Sequence, residues 1–79
     1  MKKLNVGVIG LGTIGSGVVK AILDRRHLTA QRSGVDLHLV AVCDARRVQA
    51  EKLGLAPSLF TTDPEEIFRN DKIDVVVEL

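Results

Sequence analysis

Seventy-nine residues make one small domain, which buries about 60% of the surface its unfolded chain exposes and holds a single core. Eleven Lys and Arg against ten Asp and Glu leave a net charge of +1, with no Trp or Tyr and only Phe60 and Phe68. This excludes a charge-driven nucleic-acid contact, a polybasic membrane patch and an aromatic platform for single strands. Cys43 is the single cysteine, so there is no internal disulfide and no metal-ligand spacing. The apolar run after Met1-Lys2-Lys3 is too short for a signal peptide or a membrane span, and a cytoplasmic protein is expected.

Leu4 to Ile9 reads as a central parallel strand covered on both faces. It meets Gly10, Gly12 and Gly15 in the spacing G-x-G-x-x-G. A helix then starts near Thr13, with an apolar stripe through Ile14, Val18, Ile22 and Leu23. The three glycines differ in what they permit. Gly10 allows the sharp turn, Gly12 lets a pyrophosphate reach the backbone, and Gly15 lets helix and strand pack closely. The helix start offers unpaired N–H groups and a positive dipole end to phosphates, and the hydroxyls of Thr13 and Ser16 lie beside it. Gly15 and Gly17 each give up about 1 kcal/mol of helix propensity relative to Ala, which argues for a steric reason at both. A plain connecting turn is the alternative, but a strand before and a helix after favour dinucleotide binding.

Asp24, Arg25, Arg26, His27, Gln31 and Arg32 read as a solvated overhang before Ser33-Gly34 stop the helix, and His27 is given no function. Asp36 to Cys43 is the second strand, with Leu37, Leu39, Ala41 and Cys43 on one face and His38, Val40 and Val42 on the other. His38, far from the strand's carboxyl end, is structural, and Cys43 is a buried, inert thiol. Asp44-Ala45-Arg46-Arg47 follows. An acid ending the second strand accepts from the adenosine ribose hydroxyls, while nearby Arg residues hold a 2′-phosphate. Asp44 thus pulls toward NAD, and Arg46 and Arg47 toward NADP. The separation from the glycines exceeds the usual ~20 residues because the first helix is long. The alternative is that Asp44 caps the next helix.

That helix runs from about Arg46 to Leu53 and ends at Gly54. A loop at Pro57 and a short third strand, Leu59 to Thr61, come next. Asp63-Pro64-Glu65-Glu66 is a helix start with an N-cap acid, proline at the first position and a glutamate placed for a capping box. The helix dipole accounts for both glutamates, which are not read as a catalytic pair. Ile67 and Phe68 form its apolar side. The last strand, from Ile73 or Asp74 to Leu79, carries Val75, Val76 and Val77 as a buried-type run. The alternation predicts a doubly wound parallel sheet (β-α-β-α-β-α-β) with helices on both faces and the first strand between the second and the last. The pyrophosphate belongs in the crevice between first and last strands, and the bare last strand implies self-association, a homo-oligomer.

Val6 to Val19, followed by GVDLHLVAVCD, TTDPEEI and DKIDVVVEL, resembles the amino-terminal cofactor domain of homoserine dehydrogenase over nearly the whole chain. The glycine motif is widely shared; the long first helix, the Thr62-Asp63-Pro64-Glu65 helix start and the closing Val-Val-Glu-Leu are more particular. The resemblance implies a Rossmann-like fold and NAD or NADP as cofactor. It also implies hydride transfer between L-homoserine and L-aspartate 4-semialdehyde, in the branch leading to threonine, methionine and isoleucine. Carried over by position, it places Gly10, Leu11, Gly12, Thr13, Ile14 and Gly15 around the pyrophosphate and Asp44, Arg46 and Arg47 at the adenosine ribose. The family's catalytic lysine, acidic residues and dimer interface lie in a later substrate domain, and a Gly pair is expected directly after Leu79. Residues 1–79 are therefore expected to be a truncated dinucleotide-binding domain, without catalytic residues and inactive alone, the small-molecule substrate binding only to the full-length enzyme. The alternatives are another small-substrate NAD(P) dehydrogenase, such as an aspartate dehydrogenase or a sugar oxidoreductase, and a non-catalytic NAD(H)-sensing module.

Overall fold

A computed structural model describes residues 2–79, except the side chains of His27 and Thr29. The elements in chain order are β1 (Lys2–Ile9), α1 (Thr13–Ser33), β2 (Val35–Cys43), α2 (Arg47–Lys52), a 3-10 turn (Pro57–Leu59), β3 (Phe60–Thr61), α3 (Pro64–Phe68) and β4 (Val75–Glu78). All strands pair in parallel in the order β3-β2-β1-β4, the Rossmann-like arrangement that the alternation predicts. Two crossovers step outward from β1 and the third returns past it, so the helices fall on opposite faces. Val6 and Val8 pack with Val19 and Ile22 of α1 and Ala50 of α2. Gly7, between them, faces the other layer, where an added Cβ would lie 2.9 Å from Ile73 and 3.1 Å from Ile67 of α3. No described helix is long and apolar enough to cross a membrane.

The rotation of α1 differs from the expected stripe. Ile14 is 69% exposed and Leu23 is also exposed, while Gly15, Val19, Ile22 and Ala30 are buried. Gly15 sets this phase: an added Cβ there would sit 1.8 Å from the Gly10 carbonyl oxygen, so this position must face the strand and Ile14 turns outward. Gly17 has no such reason, because a Cβ there meets nothing within 4 Å. Gly17→Ala is accordingly expected to raise the unfolding free energy by about 1 kcal/mol, measured by urea denaturation.

β2 does not alternate strictly. Its register on β1 passes from Val6↔Leu39 to Gly7↔Ala41, leaving Val40 as an extra residue. Such a bulge reverses the face of everything beyond it. Leu37 and Leu39 therefore join Val42 in the α1-side core, while Val40 and Ala41 border Ile67 on the α3 side. At the remote end, Arg26 is not a free overhang. Its Nε and Nη2 donate to the two Asp36 oxygens at 2.6 and 2.8 Å, with His38 Nε2 2.9 Å from the same carboxylate. Arg26 holds the Asp36 carboxyl well below the usual carboxylate range. His38 thus sits in a side-chain cluster with Asp36 and Arg26; the His27 side chain lies outside the described residues.

Asp63 caps α3, accepting from the Glu65 N–H at 3.0 Å, with Pro64 in the first position. The reciprocal half of the expected capping box is replaced by a relay. Thr61 Oγ1 accepts from the Asp63 N–H at 3.0 Å and donates to Glu66. β4 is less buried than its valines suggest, with Val75 40% and Val76 38% exposed, because β1 is its only neighbour among the described strands.

Candidate functional site

The carboxyl ends of β1, β2 and β4 converge on the glycine turn. Gly10 adopts φ 103°, a left-handed conformation that side chains disfavour, and its N–H donates to the Cys43 carbonyl at 2.8 Å. β4 closes against it: the Leu79 N–H donates to the Ile9 carbonyl at 3.0 Å, and a Cβ on Gly10 would lie 2.8 Å from the Leu79 oxygen.

Leu11 is a peg. Its side chain is fully buried, its N–H donates to Asp44 Oδ2 at 2.7 Å, and its carbonyl accepts from Ser16 Oγ at 3.0 Å. Neither Leu11 backbone group faces the open crevice unpaired, and the Ser16 hydroxyl, expected beside a phosphate, is spent on this internal bond. Gly12 then starts α1 with no side-chain cap, and a Cβ there would meet nothing within 4 Å. Among the described residues no acceptor meets the amides of Gly12, Thr13, Ile14 or Gly15, and the first turn holds no acidic residue. Four unpaired donors at the positive end of a 21-residue helix, with open space before them, suit an anionic diphosphate.

Asp44 is only 8% exposed and lies beside this turn. Besides Leu11, its carboxylate accepts from the Arg46 N–H at 2.7 Å and from Arg46 Nε and Nη2 at 3.0 and 3.3 Å. It does not cap α2, whose N-cap is Arg46, but instead holds the corner between β2 and that helix. The Arg46 side chain, aided by the two backbone N–H groups and opposed by burial, pulls the Asp44 carboxyl down to about 2. With a folded value below the unfolded ~3.9, its stabilisation is complete above about pH 4 and is lost as pH falls through about 2. The stability gap between the native chain and Asp44→Asn is therefore expected to close over that interval in acid urea titrations. Burial and the Asp44 charge push the Cys43 thiol up, in keeping with an inert thiol.

Two open cavities flank the turn. One of about 390 Å³ is lined by Ile9, Gly10, Cys43, Asp44, Ala45, Arg46, Thr62 and Pro64. The other, about 350 Å³, is lined by Gly12, Thr13, Ile14, Gly15 and Leu79. Asp44 and Arg46 thus come together with the glycine turn, whereas Arg47 lies over the Phe60 ring, 5.2 Å from its centre. Thr62 and Pro64 do not stand out in the sequence as site residues. Their signal is nonetheless there, since the loop after β3 must open at the same sheet end as the glycine turn.

A parallel sheet whose strand order reverses beside unpaired helix-start amides defines a Rossmann-type dinucleotide-binding domain. The chain belongs to the homoserine dehydrogenase NAD-binding domain family: the family model described as "Homoserine dehydrogenase, NAD binding domain" matches residues 10–79. NAD(P) is the corresponding cofactor. The homoserine dehydrogenase of Neisseria gonorrhoeae is 36% identical over 80 aligned residues, covering 100% of this chain and 18% of that protein. That of Bacillus subtilis is 32% identical, covering 100% and 18%. The crystal structure of the Staphylococcus aureus homoserine dehydrogenase at pH 8.5 superposes with a TM-score of 0.82 at 35% identity, covering 99% of this chain and 20% of that one. The chain thus spans about a fifth of the length of these relatives.

Proposed function

We propose that this chain binds the adenosine and pyrophosphate of NAD or NADP as the cofactor part of a homoserine dehydrogenase, which interconverts L-homoserine and L-aspartate 4-semialdehyde. The carrying observation is the row of four unpaired amides, Gly12 to Gly15, on residues that line the open cavity of about 350 Å³. In this reading they hold the pyrophosphate, the adenosine enters the cavity between Asp44 and Thr62, and Arg46 meets a 2′-phosphate when one is present. The bound cofactor supplies a nicotinamide that exchanges a hydride with the substrate carbon. The cavity at Thr13 and Leu79 has no titratable side chain in its lining. In this reading the chain binds and orients the cofactor for a full-length enzyme, whose other groups bind the substrate and move the proton. A cytoplasmic location and a homo-oligomeric full-length enzyme belong to the same proposal.

Calorimetric titration with NAD, NADP and ADP-ribose tests it. Saturable binding is expected, with ADP-ribose nearly as tight as NAD. A folded chain that binds none of the three overturns the reading.

A further inference from the structure

The glycine turn is soft by composition. Gly10 and Gly12 flank Leu11, so the peptide planes on either side of it rotate with little steric resistance. Yet both planes are pinned. Each peptide unit is rigid, carrying a carbonyl and the following N–H in one plane. The Gly10–Leu11 plane is gripped at its N–H by Asp44 Oδ2, 2.7 Å away, and the Leu11–Gly12 plane at its carbonyl by Ser16 Oγ, 3.0 Å away. The first grip fixes the Gly10 carbonyl against which Gly15 packs; the second fixes the direction of the Gly12 N–H, the first of the four unpaired donors. A carboxylate has about four acceptor positions, and the four protein donors to Asp44 match them. A ribose diol gains entry only if the Arg46 side chain lets go.

We propose that Asp44 is a positioning residue for the pyrophosphate, acting through the Leu11 N–H and independently of the ribose hydroxyls. This rests on the dinucleotide-binding reading and deepens it, assigning Asp44 an effect on the phosphates of either cofactor.

The test compares ADP with 2′,3′-dideoxy-ADP, which keeps the diphosphate and lacks the diol. Asp44→Ala is expected to weaken both probes by the same factor, about tenfold, as for loss of one hydrogen bond to a charged group. Asp44→Asn keeps an acceptor for the Leu11 N–H and is expected to restore both to within about threefold of the native protein. The Leu11 amide proton resonance should move upfield in Asp44→Ala and stay close to its native position in Asp44→Asn, a readout that general loss of stability does not produce. Ser16→Ala, on the helix side of the peg, is expected to weaken both probes equally and serves if Asp44→Ala does not fold. A tenfold loss for ADP with dideoxy-ADP unchanged overturns the proposal and returns Asp44 to the ribose, leaving the dinucleotide reading intact. A native protein that binds neither probe overturns both.

Discussion

Gly12→Val is expected to abolish measurable NAD and NADP binding while leaving the chain folded. The native backbone there, φ −69° and ψ −165°, is extended and open to any residue, and an added Cβ meets nothing within 4 Å. Valine at a helix N-cap lowers stability by about 1 kcal/mol relative to good caps, a few degrees of melting temperature in a domain this small. Binding responds on another scale. The branched side chain fills the space in front of the amides of Gly12 to Gly15, and displacing a diphosphate from several charge-assisted hydrogen bonds costs roughly 3 kcal/mol or more, at least about a hundredfold in affinity. Calorimetry paired with thermal melting reads both quantities. Unchanged affinity for ADP-ribose would remove the phosphates from this turn.

Gly15→Ala carries the largest expected loss of stability. Its Cβ would lie 1.8 Å from the Gly10 carbonyl oxygen and 2.8 Å from the carbonyl carbon, a backbone collision that no rotamer relieves. Relief requires α1 to lift from β1, opening the core formed by Val8, Val19 and Ile22. A penalty above about 3 kcal/mol is expected, a large share of the stability of a small domain, and circular dichroism should show the urea midpoint moved far toward zero denaturant. Gly17→Ala, two residues on in the same helix, changes stability in the opposite direction. A comparable loss at both positions would mean that helix propensity, not the contact with Gly10, governs this segment.

The glycine turn and the strand order are legible in the sequence because each rests on local rules. Glycine spacing after an apolar strand has few physical explanations, and right-handed crossovers leave few orders for four parallel strands. What escapes depends on contacts between distant residues. Ile14 and Val19 are both apolar but lie about 140° apart around the helix, and only the approach of Gly15 to Gly10 decides which faces inward. The bulge at Val40 leaves no composition signal in a run of apolar residues, so strict alternation assigns the wrong faces across β2. Asp44 is legible as a residue of interest from its place at the end of β2. Its bond to Leu11, across 33 positions of chain, is not, nor is the commitment of the Ser16 hydroxyl to the Leu11 carbonyl.

The closure of β4 on the glycine turn bears on the order of folding. β1 finds β2 after one helix, but its other neighbour arrives from far along the chain, with Val6 opposite Val75 and the Leu79 oxygen beside Gly10. The most local motif in the chain thus depends on its most distant contact. Closing a loop of that length is entropically slow, and contacts that need it form late. The β1-α1-β2 unit is expected to gain structure first, with the nucleotide cradle completed only when the α3-β4 segment docks. Ligand added during refolding should then slow unfolding without hastening the first folding phase, since the state that recognises it comes into being at the final step.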